Sequence, residues 1–296
     1  MALDYQQVAI LLGWFLPRGK VSLCIDRTEW DFGKCQVNIL MITARRGEVS
    51  VPLYWELLDN KSGNSSSEDR IDLLEKCINL LGARRIGLVI GDREFVGHRW
   101  LKYLKCQGIG FCIRLPRHHL VERHDGQVQS ALEILGETGQ VSLSGVLVDG
   151  VWANVWIKKL VDGDLLYLFG TPQAKFLGQL YRKRWTIECF FQALKSRGFD
   201  LESTHLKNLE KLKKLVALVS IAFAFCSNLG LHHHLKVKPI ALKKHGYKAK
   251  SFFRKGLDIV RQALKRQWKD DIQLFKHLLC RFLRWLSFQQ ASIASG

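Results

Sequence analysis

Residues 85–92 read RIGLVIGD and residues 21–26 read VSLCID, and in both an apolar run closes on an aspartate. Runs that are apolar at nearly every position, rather than at alternate ones, describe strands covered on both faces. Between them, CQVNILMITARR (35–46) and EVSVPLYWELL (48–58) read as two further strands joined at a tight Arg46-Gly47 turn, so the first three strands make an antiparallel meander. The polar loop NKSGNSS (60–66) leads into Ser67–Leu81, where Ile71, Leu74, Cys77, Ile78 and Leu81 recur at helical spacing until Gly82 stops the helix. A strand-helix-strand crossover then lays the strand of Asp92 parallel to, and beside, the strand of Asp26. The fold class is α/β, a mixed sheet flanked by helices. Sheets of this kind present ligand sites at the carboxyl ends of their strands, which makes Asp26 and Asp92 candidate neighbours in a site.

Outward from this pair, residues 4–16 form a short amphipathic helix ended by Pro17 and Gly19. Residues 98–105 are a helix and FCIRLPR (111–117) a fifth strand, which completes the core sheet. In 118–170 the runs QVSLSGVLV, VWANVWIKKL and LLYLFG alternate with Asp149-Gly150 and Asp162-Gly163, the signature of hairpins and hence of a β-rich insertion. Residues 208–235 are a long apolar helix, preceded by the basic cluster Lys207, Lys211, Lys213 and Lys214, and 236–286 read as basic and helical. The apolar run 215–229 is shorter than the ~20 residues a membrane span needs and holds Ser220, Ser227 and Asn228, so it reads as a buried helix. The expected organisation is a helical stub (1–20), a first core segment (21–117), the insertion (118–170), a second core segment (171–235) and a basic helical end (236–296).

The net charge of +18 is lopsided: residues 1–170 hold 20 Lys and Arg against 20 Asp and Glu, and residues 171–296 hold 25 against 7. A cation excess gathered in one region of a chain points to a polyanion, of which nucleic acid is the commonest large one. The eight cysteines form no CxxC pair, and no signal peptide opens the chain, which fits reduced thiols in a cytosolic protein.

The segment YRKRWTIECFFQALK (181–195) carries the most specific chemistry. Read as one helix at ~100° per residue, it places Tyr181, Arg184, Glu188 and Lys195 within about 60° of arc, beside an apolar stripe of Phe176, Leu180, Ile187, Phe190, Phe191 and Leu194. Arg184 and Glu188 at this spacing also suit an ordinary helix-surface ion pair. An aspartate at a strand end is often a turn former or helix cap. The full spacing Tyr-x2-Arg-x3-Glu-x6-Lys, however, resembles the signature of the insertion-sequence-four family of DDE transposases. IDRTEW (25–30) and GDREF (91–95) are similar to the segments that carry that family's two aspartates.

The resemblance covers roughly 20–285 and implies a ribonuclease-H-like core interrupted by the β-rich insertion. It implies Asp26, Asp92 and Glu188 as catalytic residues holding two Mg²⁺ ions, for which Mn²⁺ could substitute, with Asp26 bridging. Arg184, Lys195 and Tyr181 then contact DNA phosphates. Trp152, Trp156 and Trp185 are candidate platforms for a base drawn out of the duplex, against the alternative that strand tryptophans are core. Glu29 and Glu94 read as local ion-pair partners rather than metal ligands. The implied function is cut-and-paste transposition on double-stranded DNA, at transposon ends and target DNA, by a homodimer in the bacterial cytosol with no membrane partner. Two alternatives stay open: a DNA-binding remnant that interferes with an intact transposase, since only 25 residues precede Asp26, and a ribonuclease-H-like nuclease without strand transfer.

Overall fold

A computed structural model describes residues 3–32, 35–58, 63–195, 198–206, 208–244 and 246–265, together with 276, 280 and 284. The chain opens with α1 (Tyr5–Gly13), capped by Asp4, whose side chain accepts from the backbone N–H groups of Gln6 and Gln7. The meander follows as β1 (Val21–Phe32), β2 (Cys35–Arg46) and β3 (Val49–Leu58), with Asp26 opposite Met41 and Met41 opposite Trp55. A reciprocal cap between Ser66 and Asp69 starts α2 (Ser67–Leu81), and Gly82, at φ 82°, ends it. β4 (Ile86–Gly91) then lies parallel to β1, as the crossover requires, with Cys24 opposite Ile90. α3 (His98–Cys106) returns the chain to β5 (Gly110–Arg114), parallel to β4.

Residues 118–170 supply β6 (Leu120–Glu122), β7 (Val128–Ser130), α4 (Ala131–Leu135), β8 (Gln140–Val148), β9 (Val151–Lys159) and β10 (Leu165–Gly170). Asp149 (φ 48°) and Gly150 (φ 70°) make the β8–β9 turn, both in the left-handed region that a two-residue hairpin demands. The sheet does not stop at β5, as the sequence led us to expect. β10 pairs antiparallel with β5, and one ten-stranded sheet runs β3-β2-β1-β4-β5-β10-β9-β8-β6-β7. Apolar runs alone could not say which edge the hairpins would join.

α7 (Leu209–Lys236), capped by Asn208, packs on β3 and α1 and meets α8 (Phe252–Lys265). By length and composition α7 could cross a membrane, yet 67% of its most apolar window is buried inside the protein, as in a core helix. The crossing with α8 is glycine-lined: a Cβ at Gly256 would run into the carbonyl of Cys226, and one at Gly230 into that of Phe252. Glu56 on β3 ties two helices together, accepting from Lys76 of α2 at 3.0 Å and from Lys213 of α7 at 2.7 Å.

The described residues of 237–251, all but 245, are not helical, against expectation. Pro239 lacks the N–H that helix continuation needs, and the segment closes a small loop through the Leu242–Lys248 bridge. Lys207 and all but 276, 280 and 284 of the expected helix at 272–286 lie outside the described residues.

Candidate active site

Asp26 lies within β1 rather than at its end, because pairing with β2 continues to Phe32 opposite Cys35. The parallel partner β4, however, last pairs at Cys24–Ile90, so the two strands diverge just ahead of Asp26. Asp92 follows the last residue of β4 and caps the 3₁₀ turn Arg93–Phe95, accepting from the Arg93 N–H at 2.8 Å. Both aspartates lie two residues past the last Cys24–Ile90 pair and within 4 Å of one guanidinium, that of Arg184, so they are neighbours, as the two apolar runs implied.

The segment 181–195 is not one regular helix. It is α5 (Leu177–Tyr181), a 3₁₀ turn (Arg182–Arg184) and α6 (Trp185–Leu194), joined without leaving the right-handed helical region. Ile187, Phe190, Phe191 and Leu194 are buried, and Phe190 meets the ring of Phe223 on α7 at 4.7 Å. Phe176 departs from the expected stripe and is 45% exposed. Tyr181, Arg184 and Glu188 keep their common side, and Lys195, the C-cap, still gives its N–H to the Phe191 carbonyl at 3.0 Å, while its ψ of −136° turns the chain that follows. The chain folds back there, the Phe199 N–H taking the Ala193 carbonyl, with Gly198 pressed against the same carbonyl. The Lys195 Nζ donates to the carbonyl of Glu29, three residues along β1 from Asp26, at 2.9 Å, and pairs with Glu202 at 3.4 Å.

The three acids meet at Arg184. Its Nη1 donates to Asp26 Oδ2 at 2.7 Å, while its Nη2 is bonded to Glu188 and lies 3.8 Å from Asp92 Oδ2. The Tyr181 hydroxyl donates to Asp92 Oδ1 at 3.0 Å. Burial pushes the Asp26 carboxyl up to about 6; Arg184 and the Arg27 N–H oppose the rise, and Asp92 and Glu94 add to it. Burial also raises Glu188, against the pull of Arg184, and raises the Tyr181 phenol. For Arg184 burial acts downward, but Tyr181 and the three acids outweigh it and hold the guanidinium charged. Among the described residues, no three His, Cys, Asp or Glu side chains form a group placed to hold a metal, and here the guanidinium stands among the three acids. Arg27 bonds both Glu29 and Glu94, the second at 3.0 Å, so these two acids are engaged in ion pairs.

The tryptophans separate. Trp156 is buried, with Gly178 of α5 against its ring, and offers no face to a base. Trp152 is partly exposed but stands at the other end of the sheet: its carbonyl accepts from Lys105, just before β5 begins, and its indole is stacked on His124 at 4.1 Å. Both depart from a role beside the acids, because β9 runs antiparallel to β10 and its amino end points away from them. Trp185, 58% exposed, directly follows Arg184 and borders a groove of about 1050 Å³ shared with Cys189, Tyr247, Lys248 and Arg254. The contact of Arg184 with Asp26 and Asp92 was missed from sequence, where only the i, i+4 spacing to Glu188 is visible.

Residues 62–225 match the family described as the transposase DDE domain. The matched span contains Asp92, Tyr181, Arg184 and Glu188, and Asp26 lies before it. No curated protein matches the chain. The mixed sheet flanked by helices is consistent with the ribonuclease-H-like fold of DDE transposases. With more than half of its length matched, the chain belongs to the transposase DDE domain family.

Proposed function

We propose that this protein is a transposase of insertion-sequence-four type, cleaving phosphodiesters at the ends of a DNA element and transferring the freed strands to target DNA. The observation that carries the reading is the convergence of Asp26, Asp92 and Glu188 on one cation, beside the point where β4 stops pairing with β1.

Three carboxylates gathered about a positive charge are an oxygen-only, anionic donor set, the chemistry that Mg²⁺ prefers and Mn²⁺ accepts, so their donor chemistry suits a divalent metal once Arg184 no longer stands between them. Asp26 would be shared by two ions, with Asp92 and Glu188 holding one each. When bound, such ions activate water or a 3′-hydroxyl and stabilise the departing 3′ oxygen. Tyr181 orients Asp92 through its hydroxyl and lies within reach of a phosphate brought to the acids. Lys195, at the end of α6 and against Glu29 of β1, suits a phosphate beyond the cut, and Trp185 supplies the exposed aromatic face next to Arg184. The cation excess of 171–296 supplies the salt-dependent grip on the duplex. We further propose a homodimer in the working complex and a cytosolic location.

The test is incubation of the protein with duplexes carrying candidate element ends and Mg²⁺, with strand products resolved on denaturing gels. Cleavage at the element end followed by joining to target supports the reading. Cleavage that survives intact in Asp26→Asn, Asp92→Asn or Glu188→Gln removes that residue from the site.

A further inference from the structure

We infer that Arg184 is an exchangeable counter-cation, which neutralises the three carboxylates until a DNA phosphate draws its guanidinium away and opens them to metal. The inference rests on the reading of Asp26, Asp92 and Glu188 as metal ligands.

Arg184 is 15% exposed and gives its two terminal nitrogens entirely to acids, Nη1 to Asp26 and Nη2 to Glu188 and Asp92. A planar fork fits carboxylate pairs and phosphate equally well, so the same donors can pass from one anion to the other without loss of hydrogen bonds. Removing the cation while leaving three acids together is costly, because uncompensated charge in a partly buried place repels itself. A divalent ion resolves that cost, provided that the guanidinium has somewhere else to go. DNA phosphate supplies the destination, and Tyr181, whose ring lies 5.7 Å beneath the guanidinium carbon, provides a face over which it can move. Metal and DNA then bind with positive coupling: each is weak alone and each strengthens the other by the same factor. The chain would thereby avoid holding a loaded nuclease centre before its substrate arrives.

The test measures Mn²⁺ binding by electron paramagnetic resonance, with and without a short blunt duplex of mixed sequence, after subtraction of Mn²⁺ held by the duplex alone. Wild type is compared with Arg184→Gln and with Lys183→Gln, which removes a neighbouring cation that is not paired with the three acids. We expect Arg184→Gln without DNA to bind Mn²⁺ more tightly than Lys183→Gln does by at least about fivefold, and the duplex to tighten wild type but not Arg184→Gln. Equal affinities in the two variants, or a duplex effect that survives in Arg184→Gln, overturns the inference. If Arg184→Gln does not fold, Arg184→Lys carries the same comparison. Its single ammonium cannot bridge all three acids, so its Mn²⁺ affinity should exceed that of wild type, and an equal or lower affinity overturns the inference. Asp26→Asn and Glu188→Gln separate the two levels. If neither lowers Mn²⁺ binding, the metal-site reading itself fails; if both do and Arg184→Gln has no effect beyond Lys183→Gln, only the counter-cation fails.

Discussion

Trp156 and Gly178 are fitted to each other so closely that a Cβ at position 178 would lie 2.9 Å from two carbons of the indole. Gly178 stands three residues before Tyr181, so this contact fixes the height of α5 above the sheet. Gly178→Ala should therefore cost about 1–3 kcal/mol of stability as an overpacked core does. It should also reduce cleavage, because Tyr181 shifts against Asp92. Combining it with Trp156→Phe should restore some of the lost melting temperature. If thermal melts show no loss in the single variant, the contact does not set the position of α5.

Tyr181→Phe removes one hydroxyl and leaves the buried ring in place. A hydrogen bond to a charged group contributes about 1.5–3 kcal/mol, so cleavage in single-turnover assays should fall by about tenfold or more while the fold is kept. Unchanged rates would mean that Asp92 needs no help from this hydroxyl.

The α7–α8 crossing should be intolerant of any side chain at its two glycines. Gly256→Ala or Gly230→Ala forces the helices apart at backbone contact, and the cost should reach or exceed about 1–3 kcal/mol. Limited proteolysis should then cut within 237–265 sooner than in wild type. Equal protection would show that α8 docks through Phe252 and Phe253 alone.

Glu56 makes a pH-dependent tie. Burial raises its carboxyl, but the hydrogen bonds from Lys213 and Lys76 outweigh that and set it below the usual carboxylate range. A depressed folded value means that the unfolded chain binds more protons, so the stabilisation is present above the unfolded value near ~4.3 and fades as pH falls through the folded one. Glu56→Gln should accordingly lower the melting temperature at neutral pH and lose that difference under acid. A difference independent of pH from 7 to below 4 would refute the tie.

The nearness of Asp26 to Asp92 was legible because an apolar run ending in Asp occurs twice around a helix of the right length, and right-handed crossovers leave few placements. The end of β1 was not, since nothing in DRTEW reveals that β2 keeps pairing after β4 has stopped. The helical spacing of Tyr181, Arg184 and Glu188 survived a 3₁₀ turn that RKR does not announce, and nothing in the sequence showed that the helix would be capped at Lys195, with the Phe199 N–H on the Ala193 carbonyl. The even spacing of Trp152 and Trp156 in a strand assigns them to one face. Only the strand order reveals that this face leads away from the acids for the first and under α5 for the second.

The acids are held by two unlike mountings. Asp26 is set in a strand paired with β2 from Leu23 to Phe32, whereas Arg184 and Glu188 ride on a succession of short helical pieces. The candidate centre is thus a vice with one jaw cast into the frame and the other on a thread, and its tolerance to length changes is unequal. A residue added to the turn after α2 could be absorbed in the loop, but one added between Tyr181 and Trp185 would rotate Glu188 by about 100° and carry its carboxylate off the side that faces Asp26.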